Sequence, residues 1–239
     1  MQQVAMDATN GNGHGVSEMR SEVLDLIAHD LRNPLNAICL GARLLRERKL
    51  SPEREARQIR LMENACHRMN GLIEDLLTLA KIEAGDFRLH RSPVAMRVLV
   101  EEALRTNRPT AEEFGLRLIS SVEPWVLTAR VDAVRLARAI GILIDYAVHR
   151  SPANGVVAVR ASGRDGGMTV EITDEGPELD DMTELFRWQW NIEPGTYRRG
   201  DASLVLARRL VELHGGSVVV TGPTTVVVRV PAQTGAFAT

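Results

Sequence analysis

Two apolar stripes, each alternating steps of three and four residues, constrain this chain more than any other feature. The first runs Leu24, Ile27, Leu31, Pro34, Ile38, Gly41 and Leu45, and the second runs Ile59, Met62, Cys66, Met69, Ile73, Leu76 and Ala80. Such spacing puts each set in a narrow seam along one side of a helix. Between them, Ser51-Pro52-Glu53 supplies an N-cap and a first-turn proline. Gly85 ends the second helix. Two long amphipathic helices joined by a short turn make an antiparallel hairpin. A lone hairpin leaves both seams, and the flanking Leu35, Leu44, Leu72 and Leu77, without enough cover. The preferred solution is a homodimer that closes a four-helix bundle. The alternative is a single hairpin packed against the rest of the chain.

Beyond about Pro93 the pattern changes. Helices are expected over Met96–Asn107, Asp132–His149 and Ala202–His214, the last stopped by Gly215-Gly216. Strands are expected near Leu116–Ser120, then over Val156–Ala161, Met168–Thr173, Ser217–Thr221 and Thr225–Val230. Helices mixed with strands in this way predict an α+β sandwich with helices on one face of a sheet. The chain therefore reads as a disordered tail over 1–16, a helical hairpin over 17–88, a sandwich over 93–232 and a short tail over 233–239.

Composition narrows the function. Lys and Arg total 29 against 31 Asp and Glu, for a net charge of -2, so no basic face for nucleic acid is expected. Two cysteines, Cys39 and Cys66, are too few for a disulfide framework or a four-cysteine zinc site, and a reducing cytoplasm is expected. No apolar run approaches the ~18 residues that span a bilayer, and the N-terminus lacks the layout of a signal peptide. The expectation is a soluble protein with no membrane contact and no sensor or anchor of its own.

The face of the first helix away from its seam is polar. His29, Arg32, Asn33 and Asn36 stand at i, i+3, i+4 and i+7 and share one side, with Asp30 adjacent. An exposed imidazole is a nucleophile near neutral pH. Asp30 is placed to hold its ring proton, and Asn33, one turn on, to position a water or a phosphoryl oxygen. Pro34 removes a helix hydrogen bond beside the histidine, at a cost of ~3 kcal/mol in a helix interior. A solvated face carrying an ordinary surface histidine is the competing reading.

The string His29-Asp30-Leu31-Arg32-Asn33-Pro34-Leu35 resembles the H-box of two-component sensor histidine kinases: His, an acid, Leu, Arg, a small polar residue, Pro, Leu. The likeness continues to the C-terminus. Arg130–Pro152 resembles the helix that carries the N-box of the kinase ATPase domain, Val170–Leu179 its Asp-x-Gly-x-Gly segment, and Leu210-Val211-Glu212-Leu213-His214-Gly215-Gly216 its closing helix. The resemblance implies that the hairpin is a dimerisation and histidine phosphotransfer domain with His29 as phosphoacceptor. It implies that Asp30 assists proton transfer and that Asp30 with Asn33 forms the family's phosphatase motif. Arg32 and Asn36 would face the partner, a response-regulator receiver domain. The second domain would be the family's α/β sandwich.

The nucleotide site departs from that pattern. The N-box Asn that holds magnesium is replaced by Tyr146, and an earlier Asn of the box by Ile142. Asp174 and Gly176 remain, but the second glycine is Glu178. The glycine segment before the last helix reads Asp201-Ala202-Ser203-Leu204. A phenol is a poor ligand for magnesium, and a phosphate cradle needs backbone N–H groups that side chains do not obstruct. Asp174, which reads the adenine amino group in active relatives, is expected to survive either as inherited structure or as a cap at a strand end. Trp188 and Trp190, after Phe186, fall where a lid over ATP would lie, and offer either a docking surface or packing over a vacated cleft. No nucleotide and no metal is expected on this chain, with magnesium supplied by the receiver's acidic pocket.

Three functions follow. The preferred one is a histidine phosphotransferase of a phosphorelay, with phosphatase activity as a second output, that exchanges phosphate between His29 and a receiver Asp without ATP. The others are an active cytoplasmic kinase with a divergent ATP site and a non-catalytic scaffold that binds a regulator.

Overall fold

The computed structural model describes residues 31–47, 50–123, 128–164, 167–178, 186 and 201–231. They gather into two compact units, and the chain passes from the first to the second at Leu77–Thr78, upstream of the change of pattern expected at about Pro93. The two expected tails lie outside the described residues.

The first unit is helical. Helix α1 covers residues 31–46 and helix α2 runs Pro52–Glu83. Ser51 caps α2: its Oγ accepts from Arg54 N at 3.5 Å and its carbonyl from Glu55 N at 2.9 Å. Along α1 the expected seam turns inward, with Pro34 and Gly41 buried and Leu31, Ile38 and Leu45 half-buried; Leu24 and Ile27 lie outside the described residues. Gly41 marks the close approach to α2. A Cβ there would fall 2.6 Å from Met62 Cγ and 2.7 Å from Gln58 Nε2, so any larger residue would force these two side chains to shift.

The seam expected on α2 is rotated. Ala65 is buried, and Gln58, Met62, Met69, Leu72 and Leu76 are half-buried. Ile59 is 46% exposed and Ile73 38%, and Cys66 and Ala80 are also exposed. The inner stripe of α2 is therefore Gln58–Met62–Ala65–Met69–Leu72–Leu76. Ile59, Cys66 and Ile73 form a second apolar line, seven residues apart, beside it.

The second unit is the sandwich. A two-stranded ribbon pairs β1 (Ser92–Ala95) antiparallel with β3 (Thr128–Val131), Ser92 opposite Val131. The main sheet has the order β2-β4-β5-β7-β6, from β2 (Arg117–Val122), β4 (Val156–Arg164), β5 (Gly167–Thr173), β6 (Ser217–Thr221) and β7 (Thr225–Pro231). Strands β2 and β4 are parallel and the other pairs antiparallel. Met168, Val170 and Ile172 of β5 and Val226, Val228 and Val230 of β7 alternate into the core. There they join Leu136, Ile140, Leu143 and Ile144 of α4 (Ala133–Arg150) and Leu204, Leu206 and Leu210 of α5 (Asp201–Leu213). Leu79, in the last turns of α2, is buried in this same core.

Helix α3 spans Met96–Glu113 and so runs six residues past its expected end. Proline disfavours helix in the residue before it, yet Pro109 lies inside α3. Packing overrides the local preference. The buried Asn107 amide donates to the Ala103 carbonyl at 2.8 Å and the Gly141 carbonyl of α4 at 3.1 Å, and Ala111 is buried in the turn beyond. Strands β1 and β3 carry no sequence signal of their own, because four residues are too few to display alternation. Helix α5 stops as expected, with Gly215 at φ 76° and Gly216 N donating to the Val211 carbonyl.

Candidate functional site

On α1, Arg32, Asn33 and Asn36 are exposed, on the side away from buried Pro34 and Gly41. His29 and Asp30 lie outside the described residues. The exposed side is broader than the polar face: Leu35 and Leu40 stand on it as well. On α2, Ile59, Met62, Glu63, Cys66 and His67 line a shallow groove of about 300 Å³.

In the sandwich, α4 carries Tyr146 half-buried and Ile142 buried. Asp132 caps this helix, its Oδ1 accepting from Arg135 N at 3.1 Å, and so fixes which residues face the sheet. Asp174 is buried at the end of β5, where its Oδ1 accepts from Gly176 N at 2.7 Å. That contact caps the end of the strand. Burial pushes the Asp174 carboxyl up from the ordinary carboxylate range, opposed by the Gly176 N–H and the Arg150 guanidinium. Glu178 is exposed and Ser203 half-buried. Asp201 opens α5. Trp188 and Trp190 lie outside the described residues.

One residue here was missed by sequence reasoning. Arg150, in the last turn of α4, donates from Nη1 to the Tyr146 hydroxyl at 2.9 Å and from Nη2 to the Pro177 carbonyl. Its Nε lies 3.6 Å from Asp174 Oδ2, and its Cζ stands 5.2 Å from the Tyr146 ring centroid. The available signal was a cation four residues after a tyrosine on one helix, just before Ser151-Pro152.

A second missed group ties the sandwich together at the opposite end of α4. His214 is buried; its Nδ1 donates to the Leu210 carbonyl at 2.7 Å and its Nε2 accepts from Asp132 N at 3.0 Å. Asp132 Oδ2 accepts from His90 N at 3.0 Å, and Arg91 donates to the Leu213 carbonyl at 2.6 Å. The segment that follows α2 is thus fastened to the start of α4 and the end of α5. Burial pushes His214 below its ordinary value of 6.5, opposed by the hydrogen bond to the Leu210 carbonyl and helped by the nearby Arg91 charge. Among the described residues no group of three His, Cys, Asp or Glu side chains could hold a metal, and no helix is long and apolar enough to cross a membrane.

Comparison with known proteins places both units. Residues 19–85 match the His Kinase A (phospho-acceptor) domain, and residues 131–234 match the histidine kinase-, DNA gyrase B- and HSP90-like ATPase family. The histidine protein kinase DivJ of Caulobacter vibrioides is 30% identical over 238 residues, covering 95% of this chain and 40% of DivJ. The chain thus spans less than half the length of that relative. Among solved structures, the Acinetobacter baumannii histidine kinase AdeS superposes with a TM-score of 0.63 at 18% identity, over 86% of this chain and 98% of AdeS. Full-length ShkA, solved in complex with AMPPNP, gives a TM-score of 0.60 at 27% identity, over 88% of this chain and 45% of ShkA. With a phosphoacceptor helical domain leading into an ATPase-type sheet domain in the family's order, the chain belongs to the sensor histidine kinases of two-component signalling and comprises their catalytic core.

Proposed function

We propose that this chain moves a phosphoryl group between His29 and the aspartate of a response-regulator receiver domain, without drawing it from ATP. The observation that carries the reading is Tyr146. Where an active relative would present an amide to magnesium, this chain presents a phenol whose hydroxyl already accepts from Arg150 at 2.9 Å. The residues at the matched positions therefore do not fit magnesium-ATP. Glu178, and Asp201 by its sequence position, add negative charge where phosphates would lie. A carboxylate about 4 Å from a phosphate charge costs ~4 kcal/mol at an effective dielectric of ~20, or nearly three decades of affinity.

The transfer needs only the hairpin and the receiver. An unprotonated imidazole nitrogen of His29 attacks phosphorus in line, from about 3–3.5 Å. The N–P bond forms as the acyl-phosphate O–P bond breaks and the receiver carboxylate leaves. Asp30 holds the proton on the other ring nitrogen and fixes the tautomer. Magnesium comes with the receiver, whose acidic pocket holds it. Arg32 and Asn36, exposed on the same helix as Asn33, meet the receiver's rim. Asn33 orients a water for hydrolysis. A second copy covers the Ile59–Cys66–Ile73 line and closes a four-helix bundle, and the assembly works in the cytoplasm. A second reading, an active kinase, draws support from ShkA, which was solved with AMPPNP.

Parallel incubations separate the two. Label is expected on this chain from a phosphorylated receiver and not from γ-labelled magnesium-ATP. Label from ATP on His29 would establish the kinase reading instead. Asn33→Ala should keep transfer and slow the loss of the receiver's phosphate.

A further inference from the structure

Among the side chains at the matched nucleotide positions, the contacts of Arg150 reach furthest. Its guanidinium touches three segments at once: Tyr146 on α4, Asp174 at the end of β5, and the Pro177 carbonyl in the turn that follows. Its side chain is 14% exposed and that of Asp174 1%. Arg150 Nε has no hydrogen-bond partner and is held by the Asp174 charge alone, at 3.6 Å.

Asp174 has two oxygens and both are engaged: Oδ1 with Gly176 N and Oδ2 with Arg150. A base amino group would have to approach Oδ2, and the guanidinium stands there. This cation answers a physical need. A buried carboxylate with no cation and no ligand is costly, so a sandwich that kept Asp174 gains from an internal partner for it.

We propose that Arg150 is an internal plug, its guanidinium standing on Asp174 in the place of a purine amino group and closing the base-recognition end of the sandwich to nucleotides. The proposal rests on the reading that this chain does not use ATP, and it supplies a cause for that reading separate from the loss of a metal ligand. It also makes the loss of base recognition reversible by one substitution. Tyr146 and Glu178 act on the metal and the phosphates, whereas Arg150 acts on the base, so its effect is independent of magnesium.

Calorimetry with ADP, with and without magnesium, tests this on the full chain. Wild type is expected to give no measurable binding. Arg150→Ala should bind ADP at least tenfold more tightly than wild type, equally in EDTA, and Arg150→Gln replaces it should the alanine variant fail to fold. Tyr146→Asn, which retains the plug, should gain nothing on its own. Adding Asp174→Asn to the Arg150 variant should abolish the gain. A folded Arg150 variant that binds no better than wild type, with wild type still silent, overturns the plug and leaves the ATP-independent reading standing. Wild type that binds as tightly as Arg150→Ala overturns both.

Discussion

The helical hairpin and the sandwich are incomplete in opposite ways. The hairpin keeps the whole H-box string, His29 to Leu35, and presents Arg32, Asn33 and Asn36 to solvent. Its apolar surface, though, is only partly covered by its own chain, with Ile59, Ile73 and Leu77 exposed on α2. The sandwich buries its core within one chain, with Leu136, Leu143 and Ile144 fully enclosed. There Arg150 engages both Tyr146 and Asp174, and the proposed closure of the nucleotide site rests on those contacts. On the proposed reading, the first unit takes a second copy and offers the reactive face, while the second offers no nucleotide chemistry.

The sharpest way to break this contrast is to charge the exposed line of α2. Ile59→Asp with Ile73→Asp should convert a dimer to monomers or unfold the hairpin, since two carboxylates buried without partners cost several kcal/mol. Multi-angle light scattering reads the outcome. If the hairpin were complete in one chain, both changes would be surface substitutions worth less than about 0.5 kcal/mol each. A wild-type monomer at micromolar concentration would refute the dimer.

Truncations on the two units should differ in kind. Leu143→Ala empties space in the closed core of the sandwich and should cost about 2–5 kcal/mol in denaturant unfolding, independent of protein concentration. Leu77, 58% exposed in the single chain, should cost less than about 0.5 kcal/mol as Leu77→Ala in the monomer. A larger loss that grows on dilution would place Leu77 in the dimer interface.

Acid should act on the sandwich through His214. Its pKa in the folded chain lies below the ordinary 6.5, so below about pH 6.5 the unfolded chain binds a proton that the folded one refuses. The stability it contributes is full above that pH and is lost as pH falls toward the folded value. Protonation would also turn Nε2 from acceptor to donor against Asp132 N. The midpoint of thermal unfolding should therefore fall further between pH 7.5 and 5.5 in wild type than in His214→Gln. The smallest effect belongs to the hairpin: Ser51→Ala removes a long cap contact of 3.5 Å and should cost ~0.5 kcal/mol, at the low end for an N-cap.

Legibility in the sequence also divides along this line. The seam of α1 was readable because Leu31, Pro34, Ile38, Gly41 and Leu45 keep the three-four step, although Leu35 and Leu40 fall off it and stay exposed. That of α2 was not, because Met62, Met69 and Leu76 belong to two stripes, one through Ala65 and Leu72 and the other through Cys66 and Ile73. Burial then decided between phases that spacing could not separate. In the sandwich, helix caps and alternation in β5 to β7 located most elements. Strands β1 and β3 were too short to signal, and Pro109 hid the end of α3 behind a local preference that the Asn107 bridge to Gly141 overrode. Reading Tyr146 and Asp174 position by position gave the substitutions but not Arg150, because its role lies in contacts that reach as far as Pro177, 27 residues away. The same blindness covered His214, whose partner Asp132 is 82 residues distant.

Phosphoryl transfer in the absence of ATP decides whether His29 works with a receiver alone. A phosphorylated receiver carrying labelled phosphate is mixed with wild type and with His29→Ala, and the label on each chain is followed over time. Wild type should acquire the label and His29→Ala should not, with both showing the same oligomeric state. Equal labelling of His29→Ala, or wild type that takes no label from any cognate receiver, would contradict the proposed function.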